Sequence, residues 1–310
     1  HPVFRFPVTI RVITQDSVVR SEIMISKLRE TFRTLLPGPP LSFRFDEGGW
    51  LLGTVETDQT PAELAEMAKH DLDFSARIWA LRKVDSLTDS NTVAARRFIV
   101  LNEPQPSQRV HALQVAAADR SKETVAIVHS ALQDPDSDVR AEAIEVLAKL
   151  DSAGVATPAE SMYRTDPNTR VRGTALRIFA EVVGSRALPL LVSATNAGLP
   201  SPLRMTAARE LAKFEDPRAT NALEQLTLPG EPRDLRIVGL ACLAQQRDSV
   251  RAAAVAARYL DDEDPLFASA AARVLGSVGG DEGRARLRAR EANENRVTVK
   301  RAIAEILKSQ

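Results

Sequence analysis

Cysteine and aromatic residues are scarce in this sequence. Its 310 residues hold one cysteine, Cys242, two tryptophans and two tyrosines. A single cysteine excludes any disulfide within the chain and assigns no redox compartment. The four histidines, His1, His70, His111 and His129, have no histidine three or four residues away. This excludes a helical metal-binding pair. Charge of one sign is not in excess: Lys plus Arg and Asp plus Glu each number 41. The balance holds locally, with seven of each sign in residues 1–58. A nucleic-acid binder carries a basic excess, so nucleic acid is not an expected partner. No apolar run approaches the roughly 20 residues of a membrane span. The start has no signal-peptide pattern. No phosphate-binding loop, dinucleotide glycine pattern or nucleophile elbow occurs.

What the chain does have is a period. Asp134–Leu150, DPDSDVRAEAIEVLAKL, reads as a turn followed by one helix. Asp134-Pro135 stops the preceding segment, and Asp136 or Ser137 is placed to cap the new helix. Val139, Ala143, Val146, Leu147 and Leu150 form an apolar stripe at helical spacing. Equivalents of Arg140 stand at Arg77, Arg109, Arg172, Arg204, Arg236, Ala268 and Lys300, with 32-residue steps except one of 31. Three residues after each mark stand Ala80, Ala112, Ala143, Ala175, Ala207, Gly239, Ala271 and Ile303. Seven residues after it stand Val84, Ala116, Leu147, Phe179, Leu211, Leu243, Leu275 and Leu307. One column is small and the other apolar. That combination lets neighbouring helices approach and fills the layer behind them.

A fixed period of this size marks a helical repeat array. Each unit has room for a first helix, seen in Val125, Val128 and Leu132 or Ala222, Leu223 and Leu226, and a second helix carrying the mark. The ankyrin Thr-Pro-Leu-His box is absent, as is the tetratricopeptide Trp and Tyr pattern. Asp-Pro, then Val-Arg, then a small residue resembles a short HEAT repeat. The expected fold is mainly α: a HEAT-like α-α superhelix of about eight helix pairs, right-handed, over residues 59–310.

Residues 1–58 follow a different period. Five of ten phenylalanines lie here, at Phe4, Phe6, Phe32, Phe43 and Phe45. Apolar residues alternate at Phe4, Phe6, Val8, Ile10 and Val12, again around Ile23 and Ile25, and again at Leu41, Phe43 and Phe45. The period of two predicts strands near 3–14, beginning at Val3, and near 18–27, 30–36, 41–46 and 49–53. Pro7 predicts an edge or broken first strand. Five short strands make an incomplete antiparallel β-sandwich, too small to be stable alone. It is expected to dock on the first helices, with Trp50–Leu52 against Leu64–Met67 or Trp79. Thr60, Pro61 and Glu63 predict a capping box at the first helix.

No constellation could run a reaction, so catalytic, cofactor-binding and metal residues are all expected to be none. His70 reads as a cation at a helix C-terminus, and His111 and His129 as packing or surface residues. Cys242 lies in an apolar column with Val146 and Ile178 and reads as core. Arg284, Arg286, Arg288 and Arg290 read as a solvated helix surface. For Arg140, Arg172, Arg204 and Arg236, carboxylates near the turns, such as Asp134, Asp138 and Asp166, predict a ladder of exposed ion pairs. Each rung would contribute roughly 0–1 kcal/mol. A row of anion-binding arginines is the other reading of that column.

Three stretches carry a resemblance to a known family: Phe4-Arg5-Phe6-Pro7-Val8, Glu30-Thr31-Phe32 and Phe45-Asp46-Glu47-Gly48-Gly49-Trp50-Leu51-Leu52. Together with the order of small sandwich, then helical domain, they resemble the C-terminal half of M1-family zinc aminopeptidases. The resemblance implies a non-catalytic rear segment whose helices form a bowl over an active-site cavity. The zinc and the catalytic N-terminal region of the same protein would then lie outside this sequence. No His-Glu-x-x-His or Gly-x-Met-Glu-Asn motif stands here, so no catalytic or zinc residue carries over. The alternative expectation is a HEAT-repeat scaffold that holds a peptide or protein on its concave face.

Overall fold

The computed structural model describes residues 4–84 and 90–308, so His1 and Val3, named above, lie outside the described residues. Alternating apolar residues build three antiparallel strands: β1 (Phe6–Thr14), β2 (Val18–Ile25) and β3 (Pro40–Phe45), in the order β2-β1-β3. The Gln15–Ser17 turn closes the first hairpin, with the Thr14 amide donating to the Ser17 carbonyl at 2.8 Å. Val8 lies opposite Ile23, and Ile10 lies between Ser21 and Phe45. One face therefore carries Val8, Ile10, Val12, Ile23, Ile25, Phe43 and Phe45, since side chains alternate along a strand.

Three sequence expectations for this region need correction. Pro7 is not on an edge strand, because β1 is central. However, β3 pairs only with Ile10–Thr14, so the missing proline N–H faces a side with no paired strand. Residues 30–36 form no strand. The Glu30 carboxylate instead accepts from the Ser26 amide at 2.7 Å and the Ser26 hydroxyl at 2.6 Å, which turns the chain off β2. Residues 49–53 form no strand either. The Asp46 carboxylate takes the Trp50 and Leu51 amides at 3.1 and 2.8 Å, so a local side chain satisfies donors that a ladder would use. Gly48 and Gly49, at φ 102° and 67°, allow that turn.

Helices follow from Thr60, whose side chain caps the Glu63 amide while Glu63 returns to the Thr60 amide. The chain forms two compact units, residues 1–150 and 151–310. The first unit contains the sheet and three helix pairs: α1 (Pro61–His70) with α2 (Phe74–Lys83), α3 (Ser90–Asn102) with α4 (Pro106–Ala116), and α5 (Lys122–Ala131) with α6 (Ser137–Leu150). The second contains five pairs. They are α7 (Ala156–Thr165) with α8 (Thr169–Val183), α9 (Leu188–Ser193) with α10 (Ser201–Leu211), α11 (Pro217–Gln225) with α12 (Arg233–Gln245), α13 (Ser249–Arg258) with α14 (Pro265–Val278), and α15 (Gly280–Asn293) with α16 (Val297–Lys308).

The two sequence columns form the core. Ala80, Ala112, Ala143, Ala175, Ala207, Ala271 and Ile303 are fully buried, and Val84, Leu147, Leu211, Leu243 and Leu275 lie behind them. At Gly239 a side chain has no room: a Cβ there would sit 2.8 Å from the Leu226 Cβ and 3.1 Å from the Leu223 carbonyl. Glycine thus lets α12 approach the end of α11. Asp136 caps α6 through the Asp138 amide at 2.8 Å.

Candidate functional site

The arginine column is built into the repeat, and a guanidinium there can do two things. It first satisfies carbonyls at the end of the preceding helix, which have no partner within that helix. In the first unit Arg77, Arg109 and Arg140 donate to the carbonyls six residues earlier, those of Asp71, Glu103 and Asp134, at 2.7–2.8 Å. In the second unit Arg172, Arg204 and Arg236 reach nine residues back, to Tyr163, Thr195 and Thr227, at 2.7–3.0 Å.

The second task crosses to the next repeat. Arg77 holds Glu103, Arg109 holds Asp134, Arg204 holds Glu231 and Arg236 holds Asp262, each by two parallel hydrogen bonds. The expected ladder exists, but its rungs are not exposed pairs: Arg109, Arg204 and Arg236 are all under 10% exposed. Arg236 also lies over the Phe267 ring at 3.8 Å. Removing one partner of such a buried pair leaves an uncompensated charge, a cost of about 3–5 kcal/mol. Burial therefore argues for structure over anion capture.

After Arg236 the column holds Ala268, and Glu294 in the next turn is held instead by Arg296 and Arg290. Hydrogen bonds from Arg296, then from the Arg296 amide and Arg290, overcome desolvation and hold its carboxyl at about 2. Because this pKa is depressed, the stabilisation is complete above the ordinary value of 4.5. It is lost as the pH falls towards 2.

A second charged cluster lies where sequence reasoning expected apolar docking. Arg11 on β1 stands opposite Arg20 on β2 and Arg44 on β3, so three arginines cross the sheet in one row. Glu47 holds Arg11 at 3.0 Å and Arg20 at 2.8 Å, Asp73 holds Arg44 at 3.0 Å, and Asp71 pairs with Arg11. The Arg20 hydrogen bond lowers the Glu47 carboxyl most. The sheet thus turns its charged face to the start of α2. Its apolar face lines an open groove of about 440 Å³, flanked by Leu28 and Phe32. Trp50 and Leu52 point to solvent, contrary to expectation. Leu51 alone of the three lines a cavity of about 480 Å³ with Met67 and Trp79.

The remaining residues singled out in the sequence are not brought together. His70 stacks edge-on against Phe98, and His129 is exposed. Burial pushes the Cys242 thiol up to about 11, so it is protonated core. Arg284, Arg286 and Arg290 pair with Asp281, Glu282 and Asp261. Among the described residues no group of His, Cys, Asp and Glu could hold a metal ion. Among the described residues no helix is long and apolar enough to cross a membrane.

One groove was missed by sequence reasoning. Between α8 and α10, about 600 Å³ is lined by Arg170, Gly173, Thr174, Arg177, Met205 and Arg209, among others. Five residues after the mark, Arg177 and Arg209 stand at equivalent positions of α8 and α10.

Residues 94–178 and 158–244 match the family of HEAT repeats. No curated protein matches the sequence. Among solved structures, human deoxyhypusine hydroxylase is similar over 79% of this chain and 93% of its own, at 18% identity and TM-score 0.35. Legionella pneumophila aminopeptidase A is similar over 99% of this chain at 10% identity and TM-score 0.43; the chain spans 46% of that protein's length. A chain of the Kap95p–RanGDP complex is similar over 80% of this chain and 33% of its own, at 16% identity and TM-score 0.43. At these identities no activity is carried across. The family match identifies residues 94–244 as HEAT repeats, and paired helices of the same kind continue on both sides of that stretch.

Proposed function

We propose that this chain is a non-catalytic interaction module. The observation that carries this reading is the use of its charged residues. The buried arginines are consumed by carbonyls and carboxylates of the repeats, while the second helices leave other side chains, Arg209 and Arg273 among them, at the surface. HEAT-type arrays commonly present such surfaces to proteins. In-cell crosslinking of the full chain, read by mass spectrometry, should place partner crosslinks on the second helices α8, α10, α12 and α14. Crosslinks confined to first helices and loops would sink the scaffold reading.

A narrower reading makes the chain the rear segment of an M1-type zinc aminopeptidase. Two features support it: the Asp46 turn, which fixes the Gly48-Gly49-Trp50-Leu51 stretch that resembles the family, and the sheet whose apolar face lacks a second layer. On this reading the zinc and the catalytic residues belong to the other half. The purified chain should therefore bind no stoichiometric zinc and release no amino acid from aminoacyl anilides. One tightly bound zinc per chain would overturn the non-catalytic assignment on either reading.

A further inference from the structure

We propose that β2 pairs with β2 of a second copy of this chain, antiparallel and about a two-fold axis at Ser21. Two three-stranded sheets then become one sheet of six strands. This pairing uses the sheet and not the second helices, so it stands apart from the interaction-module reading.

β2 is an edge strand. It pairs with β1 on one side, and among the described residues no strand lies on the other. Its register with β1 runs from Ile25 to Val18 without a bulge, and Val18, Arg20, Glu22 and Met24 are exposed. A regular open edge of this kind is a template for another strand.

The first hairpin fixes which backbone groups of β2 are free. The Thr14 amide donates to the Ser17 carbonyl at 2.8 Å. Hydrogen-bonded pairs alternate along an antiparallel ladder, so Val12–Val19, Ile10–Ser21 and Val8–Ile23 carry the bonds to β1. Pro7, opposite Met24, falls in the other phase, as its missing N–H requires. The even-numbered residues of β2 therefore turn their N–H and C=O groups to the open edge. A second copy of β2 must pair even-numbered residues with even-numbered ones.

Only two such registers keep most of the strand paired, over residues 18–24 or 19–25. The second is centred on Glu22 and sets two copies of Glu22 directly opposite each other, which is destabilising. The first is centred on Ser21 and sets Arg20 against the second copy's Glu22 on both sides of the axis. Glu22 makes no hydrogen bond or ion pair among the described residues. Arg20 holds Glu47 through its Nε alone, at 2.8 Å, which leaves its terminal nitrogens for a second carboxylate. The same register sets Val19 against Ile23 on the apolar face of the sheet and Val18 against Met24 on the other. Charges on an edge strand ordinarily bar pairing. Here their order makes one register self-complementary, as an isologous interface requires.

Sedimentation equilibrium of the full chain, from low to high micromolar concentration, should show a reversible monomer–dimer equilibrium. Glu22→Arg and Arg20→Glu should each weaken the dimer at least about tenfold. An equimolar mixture of the two should dimerise as the wild type does, since every arginine at the edge then faces a glutamate again. Ser21 meets its own copy as a non-hydrogen-bonded pair, with Cα atoms about 4.5 Å apart, inside the roughly 4.4–6.8 Å span of a disulfide. Ser21→Cys should therefore give a covalent dimer on oxidation with diamide, whereas Val19→Cys, which faces Ile23, should not. The native Cys242 is buried and does not compete. A monomer at every concentration would overturn the proposal and leave Arg20 and Glu22 as guards of the edge. So would an undiminished dimer in Glu22→Arg, a mixture that stays monomeric, or equal crosslinking of Val19→Cys. Arg20→Glu also releases Glu47, and if that variant unfolds the two cysteine variants decide alone. Partner crosslinks on the second helices are read separately, so either reading can fail without the other.

Discussion

The sheet and the repeats bury opposite kinds of surface. In the second unit, helices pack through the small and apolar columns, with Ala175, Ala207, Leu211 and Leu243 inside and buried charge held in pairs, those of the arginine rungs, of Glu210 with Lys213 and of Glu294 with Arg296. In the sheet, the charged row of Arg20, Arg11 and Arg44 meets Glu47, Asp71 and Asp73, and the apolar side faces an open groove. The repeats are thus held mainly by a non-directional driving force that each neighbour supplies again. The sheet is held by a few directional pairs whose partners are indispensable. A repeat can lose one layer and keep its neighbours, whereas the sheet's charged face depends on two helix-side carboxylates, Asp71 and Asp73.

Asp71→Ala should break this comparison most strongly. It leaves the buried Arg11 without a main partner, a loss of about 3–5 kcal/mol. Hydrogen exchange should show β1–β3 losing protection while residues 151–310 keep theirs. Equal loss in both regions would mean that the charged row does not hold the sheet separately.

Leu211→Ala tests the other half. Leu211 is fully buried in α10, and its truncation should cost roughly 2–5 kcal/mol in urea denaturation, with protection lost first around α8–α12. A cost below about 1 kcal/mol would fall outside the range for buried leucine and would remove the column from the core.

The smallest effect is expected at Trp50. It is 83% exposed and lies over Gly48 rather than in the helix junction. Trp50→Ala should change stability by no more than about 0.5 kcal/mol, and denaturant-induced change in tryptophan fluorescence should come mainly from Trp79. A larger loss would return Trp50 to the sheet–helix contact.

The repeat was legible because its cause is local and recurrent. A small residue three places after the mark and a large apolar one seven places after it meet the same neighbour geometry in every unit. Helix caps at Thr60 and Asp136 were legible for the same reason, since donor and acceptor lie within three residues. The strands of three apolar runs, near 3–14, 18–27 and 41–46, could be read from their period. The missing strands at 30–36 and 49–53 could not, because Glu30 and Asp46 compete for backbone donors in ways that alternation does not encode.

The sequence by itself determined the helix pairs, their core columns and the absence of a recognisable catalytic motif, because these follow from spacing along one chain. Only the tertiary structure decided which carboxylate each arginine holds, since Arg204 and Glu231 are 27 residues apart and meet only when two repeats stack. It likewise decided which face of the sheet is covered. An alternating strand offers both faces to whatever packs against it, and here the arginine face found its carboxylates on Asp71 and Asp73.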